Sequence, residues 1–389
     1  MSPETSGHRR HLPPPPARGG RPVRALALLA LALTAAACAG RGSAGTTVRV
    51  GVIVPLTSGV PGAARSAVQG AQLAAEEVNA DRGAGGRRLV LTVVDDRGVP
   101  EETTRLFAEF AAQEVVAVVG PLTDPTTIAA APAAERHRLV LISPGATGQL
   151  PYGGHYVFRT ALPARTQAQA VAAHLVERLG LRRIAIVHDS NDYGTTVALA
   201  FAEAVRRRGG QITSLRLYRD GDRDFTRHAR GPGEEGAQAV FLAGYPDEGA
   251  QLLRALRAAA PRLVVAGSDA LYSPDTLAWA GEAAAGLYVP AGFAPDVPLP
   301  LVRDFVARYR ERYGQTPDQF AAQAYDAVRL VAFAVRRGGP DRVRVREAVA
   351  GVRRFPGVTG ELAFDRWGDP VRDVVITRVE GGRFSTVGP

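Results

Sequence analysis

From Thr47 onward the chain alternates short β-branched runs with stretches whose apolar residues recur every three or four positions. That alternation restricts it to α/β architectures built on doubly wound parallel sheets. Val48 to Pro55 reads as a strand, and Val68, Ala71, Ala75 and Val78 after it mark one face of a helix. Strands at Leu89–Val94, Val115–Val119 and Leu139–Ser143 then interleave with helices at Glu101–Gln113 and Thr126–Arg136. The pattern restarts after Phe158-Arg159-Thr160, with helices at Thr166–Leu179, Thr195–Arg207 and Glu248–Ala259. Strands at Arg183–His188, Gln211–Tyr218, Ala239–Ala243 and Leu263–Ala266 accompany them. The expectation is two α/β lobes of doubly wound parallel sheet with a ligand cleft between them, and a length of 389 residues suits two domains.

The tail reads as helices at Leu301–Tyr313, Gln319–Arg336 and Arg342–Ala350, followed by strands at Glu361–Phe364 and Val371–Val379, and these elements complete one or both lobes. Lobe 1 is assigned 47–160 plus 293–361, and lobe 2 is assigned 163–286 plus 370–389. Hinge crossovers are placed at 160–163, 287–292 and 362–369. No tandem repeat of solenoid length occurs.

The first 37 residues have a different character. Arg9, Arg10, Arg18, Arg21 and Arg24 precede the uncharged run Ala25–Ala37, which is too short to span a bilayer and ends in small residues before Cys38. This is a signal peptide over 1–37. Cys38 is the one cysteine of the sequence, so it has no intramolecular disulfide partner, and acylation gives it a role. Thr34–Gly40 resembles a bacterial lipobox, with Ala35 where leucine is usual. Residues 38–46 then form a lipid-anchored linker, and the protein is expected to be exported and held on the outer face of the cell membrane.

The formal net charge is +9, but five arginines against one glutamate in the signal account for four of those charges. The 47 basic residues are all arginine, and no basic stripe is interleaved with aromatics, so nucleic-acid binding is not expected. Arg206-Arg207-Arg208 precedes Gly209-Gly210, as suits the last turn of a helix. Enzyme signatures are missing: the sequence has no P-loop, GxGxxG, GxSxG or HExxH. His188, Asp189 and Ser190 are adjacent, and neighbours on a strand point to opposite faces, so they read as a strand end rather than a triad. No metal-ligand spacing occurs, and no metal, cofactor or catalytic residue is expected.

Polar and aromatic residues collect instead where strands end, which is where open α/β sheets bind ligands. Gly120–Thr127, Ser143–Thr147, His188–Tyr193, Ala243–Tyr245 and Ser268-Asp269 all lie there. Singly each has an ordinary reading: Asp124 as an N-cap with Pro125 at N1, Thr147 as a turn residue, Tyr193 and Tyr245 as amphipathic covers.

In order and spacing, Val48–Gly59, Gly70–Asn79, Asp95-Asp96, Gly120-Pro121, Ile142–Pro144, Arg183–Asp189, Tyr193-Gly194 and Ala322–Tyr325 resemble the leucine/isoleucine/valine-binding proteins. These are the branched-chain amino acid receptors of bacterial ABC importers, of the type I periplasmic binding fold. The resemblance implies a monomeric solute-binding lipoprotein that closes by hinge motion on an amino acid, amide or urea-like molecule and hands it to ABC permease subunits. A ligand sensor of the same fold, acting on a signalling partner, is the alternative. By the same resemblance Gly145 and Thr147 meet the ligand carboxylate, Asp269 its ammonium, and Tyr193, Tyr245 and Phe320 form walls. Thr126 and Ala146 belong to the same ligand-binding loops. Two positions depart: the carboxylate-binding serine of the family falls at Asp124, and an aromatic near Ala63 or Ala64 is absent. An ionised Asp124 would repel a carboxylate by a few kcal/mol at about 4 Å and an effective dielectric near 20. The preferred ligand is therefore not expected to be a plain aliphatic amino acid bound in the family's manner.

Overall fold

The computed structural model describes residues 47–58, 60–150, 155–219 and 221–387. The segments expected as signal peptide and lipid-anchored linker, with Cys38, lie outside the described residues. Five strands, β1 (Thr47–Val54), β2 (Arg88–Asp95), β3 (Val115–Val119), β4 (Val140–Ser143) and β5 (Val157–Arg159), form a sheet in the order β2-β1-β3-β4-β5. Every neighbour in it is parallel. A second sheet has the order β15-β14-β10-β9-β8-β6-β7. Its strands are β6 (Arg183–Asp189), β7 (Gln211–Tyr218), β8 (Ala239–Ala243), β9 (Val264–Gly267), β10 (Tyr288–Ala291), β14 (Val375–Glu380) and β15 (Arg383–Thr386). The short strands β11 (Phe355–Gly357), β12 (Gly360–Phe364) and β13 (Pro370–Val371) make a small antiparallel sheet.

Alternation along each central strand sorts the core into layers. Val50, Val52 and Val54 of β1 pack with α1 (Pro61–Ala80), α9 (Pro300–Tyr313) and α10 (Gln319–Gly338), while Ile53 faces Phe107 and Phe110 of α2 (Pro100–Ala112) and Ala130 of α3 (Asp124–His137). Gly51 lies on that second face, where a Cβ would come within 2.6 Å of the Phe110 ring. In β6, Ile184 and Ile186 meet α4 (Ala164–Ala173) and α5 (Asp192–Arg207). Ala185 and Val187 meet α6 (Thr226–Glu234) and α7 (Pro246–Ala259). Both sheets are thus covered on both faces, as parallel sheets require.

Several elements differ from their expected form. The helix assigned to Thr166–Leu179 begins at Ala164 and winds into a π-helical turn over His174–Arg178. The strand assigned to Val371–Val379 is interrupted between Val371 and Val375, and its second part forms a hairpin with β15. Gly381 and Gly382 have φ of 56° and 72°, the turn that a two-residue hairpin requires. The pair β14 and β15 therefore adds an antiparallel edge to an otherwise parallel sheet. Strands β5 and β10, α6 and α8 (Pro274–Ala280) are too short for periodicity to reveal. Tyr288–Ala291, expected as crossover, is a strand of the second sheet. The helix ending Arg206-Arg207-Arg208 finishes as expected, with Arg208 at its C-cap.

The chain passes between the two sheets after β5, after β10 and after β13. Side-chain contacts tie the first passage to the third. Arg159 Nε donates to Asp369 Oδ1 at 2.6 Å, and Arg372 Nη2 donates to the Thr160 carbonyl at 3.2 Å. Asp326 of α10 is buried and accepts from the Val358 and Thr359 N–H groups and the Thr359 hydroxyl, which fixes the segment leading to β12. No helix among the described residues is long and apolar enough to cross a membrane.

Candidate functional site

The loops at the carboxyl ends of the strands are built around backbone close approaches. Gly120, just past β3, has φ of +104°, and a Cβ there would lie 2.0 Å from the Ile53 carbonyl oxygen. Only glycine suits both conditions. The chain then enters α3, whose N-cap is Thr123 and not Asp124 as expected. Asp124 is the first helical residue, and its carboxylate leaves the helix end altogether. Its Oδ1 accepts from the Thr147 N–H at 2.8 Å, and both oxygens accept from the Gly148 N–H at 3.0 Å. A Cβ on residue 148 would come within 2.5 Å of Asp124 Oδ2, so the absence of a side chain permits this contact.

The opposite side of the same loop is held by Arg159. Its Nη1 donates to the carbonyls of Ala146 at 3.2 Å and Gly148 at 2.6 Å, while Nε pairs with Asp369. The loop is therefore clamped, with its N–H groups on Asp124 and its carbonyls on Arg159. Ser143 completes it, accepting from the Ala146 N–H at 3.0 Å and donating to the Pro121 carbonyl at 2.6 Å. Sequence reasoning placed Ser143 in a strand-end loop without giving it a role, and missed Arg159 and Asp369. The only signal for Arg159 was a charged residue closing an apolar run, Val157-Phe158, at a lobe boundary.

On the second sheet, Asn191 caps α5 by accepting from the Gly194 N–H at 2.8 Å, which places Tyr193 in the first turn. Its hydroxyl donates to Asp269 Oδ1 at 2.7 Å and accepts from the Ala270 N–H at 3.3 Å. The Tyr193 and Tyr245 rings stack at 5.2 Å with planes 27° apart, and Tyr245 stays half-exposed. Burial pushes the Asp269 carboxyl up, and hydrogen bonds from Tyr193 and Gln167 oppose that. Burial and the neighbouring Asp269 push the Tyr193 phenol well up, so it stays a donor. The Tyr245 phenol is raised by burial first and then by Asp124, Asp189 and Asp269. The first sheet's loop touches the second sheet's helices directly, since the Thr147 carbonyl accepts from the Ala164 N–H of α4 at 2.8 Å.

Among the residues singled out from sequence, Asp124 and Thr147 are in direct contact, and Tyr193, Tyr245 and Asp269 form one cluster. Thr126 is buried, its hydroxyl 2.7 Å from that of Thr123. Ala146 is fully buried, and the Gly145 N–H reaches the Ser143 hydroxyl at 3.4 Å. Phe320 packs against the core of the first sheet. His188 Nδ1 lies 2.7 Å from the Asp189 carbonyl, and the Asp189 carboxylate holds Asn191, which is strand-end and turn chemistry. Among the described residues no three His, Cys, Asp or Glu side chains are grouped to hold a metal.

Two doubly wound sheets joined by three passages, with polar loops at the strand ends of both, define a type I periplasmic binding fold. Residues 47–383 match the periplasmic binding protein family, and the chain belongs to it. It is 27% identical to a Leu/Ile/Val-binding protein homolog of Brucella melitensis, over 83% of this chain and 88% of the relative. Against the leucine-, isoleucine-, valine-, threonine- and alanine-binding protein of Pseudomonas aeruginosa it is 26% identical, over 88% of this chain and 92% of the relative. The crystal structure of the branched-chain amino acid transporter substrate-binding protein LivJ from Streptococcus pneumoniae, in complex with isoleucine, superposes with a TM-score of 0.77 at 27% identity, covering 88% of this chain and 100% of that one. The chain is thus a periplasmic binding protein and not an enzyme, and the relatives named above are binding proteins for branched-chain amino acids.

Proposed function

We propose that this protein is the extracytoplasmic receptor of an ABC importer, closing around a small polar molecule held between the loops of its two sheets. The observation that carries this reading is the pair of polar clusters at the strand ends of the two sheets, Asp124 with the Thr147–Gly148 loop on one and Tyr193, Tyr245 and Asp269 on the other. A ligand touching both sets must be gripped by both lobes, and motion about the three passages then couples binding to closure. The lobes divide near residues 160–163, 287–292 and 362–369, and the receptor works as a monomer beside its permease. Asp124, Thr126, Gly145, Ala146, Thr147, Tyr193, Tyr245, Asp269 and Phe320 supply the ligand site.

A thermal-shift screen of amino acids, amides, ureas and small amines tests this, since a ligand at 100 times its Kd adds about 2.7 kcal/mol of stability. Small-angle scattering with the stabilising ligand is expected to give a smaller radius of gyration. An unchanged radius on saturation would rule out closure.

The receptor is held to the membrane through a diacylated Cys38, because one acyl chain binds only marginally and two bind stably. The supporting features are the arginine-rich leader, the short apolar run Ala25–Ala37 and the single cysteine. Cys38→Ser is expected to move the protein from the membrane fraction to the soluble fraction and to block lipid-dependent processing. Unchanged fractionation of the variant would remove the anchor.

A further inference from the structure

The first sheet is charged unevenly along its strands, and arginines draw its amino-terminal strand ends together. Arg336, in the last turn of α10, pairs with Asp81 Oδ2 at 3.3 Å and donates to the Gly83 carbonyl at 3.1 Å, in the turn before β2. Arg342 opens α11 (Arg342–Ala350) and donates to the carbonyls of Ala111, Gln113 and Val115 at 3.1, 2.7 and 2.9 Å, on the way into β3. Arg346 donates to the His155 carbonyl at 2.6 Å, and Glu135 of α3 accepts from the Tyr156 N–H at 2.8 Å, on the way into β5. Over 81–88, 113–114, 135–138 and 336–347, the segments so gathered, ten arginines face five carboxylates. That excess of five equals the net charge of all residues after 37, so the rest of the chain from there balances to neutral. Seven of the ten arginines are exposed, which leaves their charge open to a partner. The loops after β2 and β3 are the reverse, with five carboxylates and one arginine over 95–102 and 120–124.

A second and independent observation is where the chain enters the sheet. β1 begins at Thr47, whose register partner in β2 is Arg88, so the preceding polypeptide joins the fold at this same basic end. From Cys38 to Thr47 the nine steps of chain reach at most about 32 Å. An anchor at Cys38 therefore keeps the basic end within that reach of the lipid, with the acidic loops at the other end of the strands. The surface itself suits a lipid better than a protein. Val343 is the one large apolar side chain exposed in these segments, whereas the centre of a protein interface is apolar and poor in charge.

We infer, resting on the anchor reading at Cys38, that the amino-terminal strand ends of the first sheet are a docking surface for a membrane of anionic phospholipid. Each arginine held near an anionic surface is worth about fivefold in affinity, and the attraction falls off within a Debye length. The surface therefore acts where a tether already holds it close, and it turns the loops at the carboxyl strand ends away from the bilayer.

Sedimentation with vesicles tests this, using the mature chain from residue 38 with Cys38→Ser so that no acyl group contributes. Vesicles of phosphatidylglycerol and phosphatidylcholine in equal parts are expected to bind it at low salt. They are expected to release it at about 1 M salt, where the Debye length falls to about 3 Å. Vesicles of phosphatidylcholine alone are expected to leave it in solution. Arg88→Gln, Arg136→Gln and Arg344→Gln together remove three exposed charges from the surface and are expected to weaken binding by at least about thirtyfold, with the melting temperature unchanged. Arg182→Gln, Arg206→Gln and Arg262→Gln remove three exposed charges around the second sheet and are expected to weaken it by less than about threefold. Equal losses from the two triple variants would overturn the inference, because net charge alone would then account for the binding. Failure to bind the anionic vesicles would overturn it too, and binding to soluble polyphosphate in their place would assign the surface to another polyanion. Fractionation of Cys38→Ser at high salt, where the basic surface is screened, reads the anchor separately.

Discussion

Replacing Arg159 by alanine is expected to destabilise the protein by about 2–3 kcal/mol, the cost of leaving a partly buried carboxylate and two carbonyls without their donor. The guanidinium side chain is only 3% exposed and serves three acceptors at once: Asp369 Oδ1 and the carbonyls of Ala146 and Gly148. Without it, the Asp369 carboxylate and two carbonyls lose their donor in a place water reaches poorly, and the penalty is the desolvation of groups left unpaired. The loss also reaches the proposed ligand site, because the carbonyls belong to the loop whose N–H groups hold Asp124. Urea denaturation should place the midpoint well below that of the parent. Arg165→Ala makes the contrast: its pair with Glu203 has side chains 60% and 49% exposed, so the change should stay under about 1 kcal/mol. Equal effects from the two substitutions would show that the Arg159 clamp contributes nothing special.

Gly120→Ala is expected to cost about 4 kcal/mol or more and to leave much of the protein insoluble. At φ of +104° an alanine is strained before any contact is considered. The new Cβ would also lie 2.0 Å from the Ile53 carbonyl oxygen, a backbone atom of the neighbouring strand that cannot swing aside. Either β1 and β3 separate or the loop to Asp124 re-routes, so stability and ligand binding should fall together. Gly62→Ala in α1 is the control. It has no heavy atom within 4 Å of the added carbon, and a helical alanine should shift stability by no more than about 1 kcal/mol, in the favourable direction. A melting temperature for Gly120→Ala equal to that of the parent would refute the steric argument.

Much of the fold was legible because its signal is local. The period of Ile184, Ala185, Ile186 and Val187 in a continuous apolar run, followed by a helix with a clear face, is the mark of a strand buried on both sides. The elements that escaped are short or depend on partners distant in sequence. Val157–Arg159 is a strand because β4 accepts it as a neighbour, and Tyr288–Ala291 because β9 and β14 flank it. Three or four residues carry too few periods to announce either.

The site divides in the same manner. The strand-end loops of the proposed site were visible as clusters of polar and aromatic residues. The role of Asp124 was not. Read locally, an aspartate before proline at a helix start is a cap, and that reading failed because the cap position went to Thr123 and the carboxylate found two N–H groups 23 and 24 residues away. The sequence alone determined the alternating α/β plan, the doubling of that plan and the strand ends where ligands are met, because patterning and turn chemistry act between near neighbours. Only the tertiary structure decided that the Thr147 and Gly148 N–H groups serve Asp124, and that Arg159 braces their loop. Those depend on side chains meeting across 11 to 210 residues of chain, where the alternatives are set by packing and burial and leave no trace in local order.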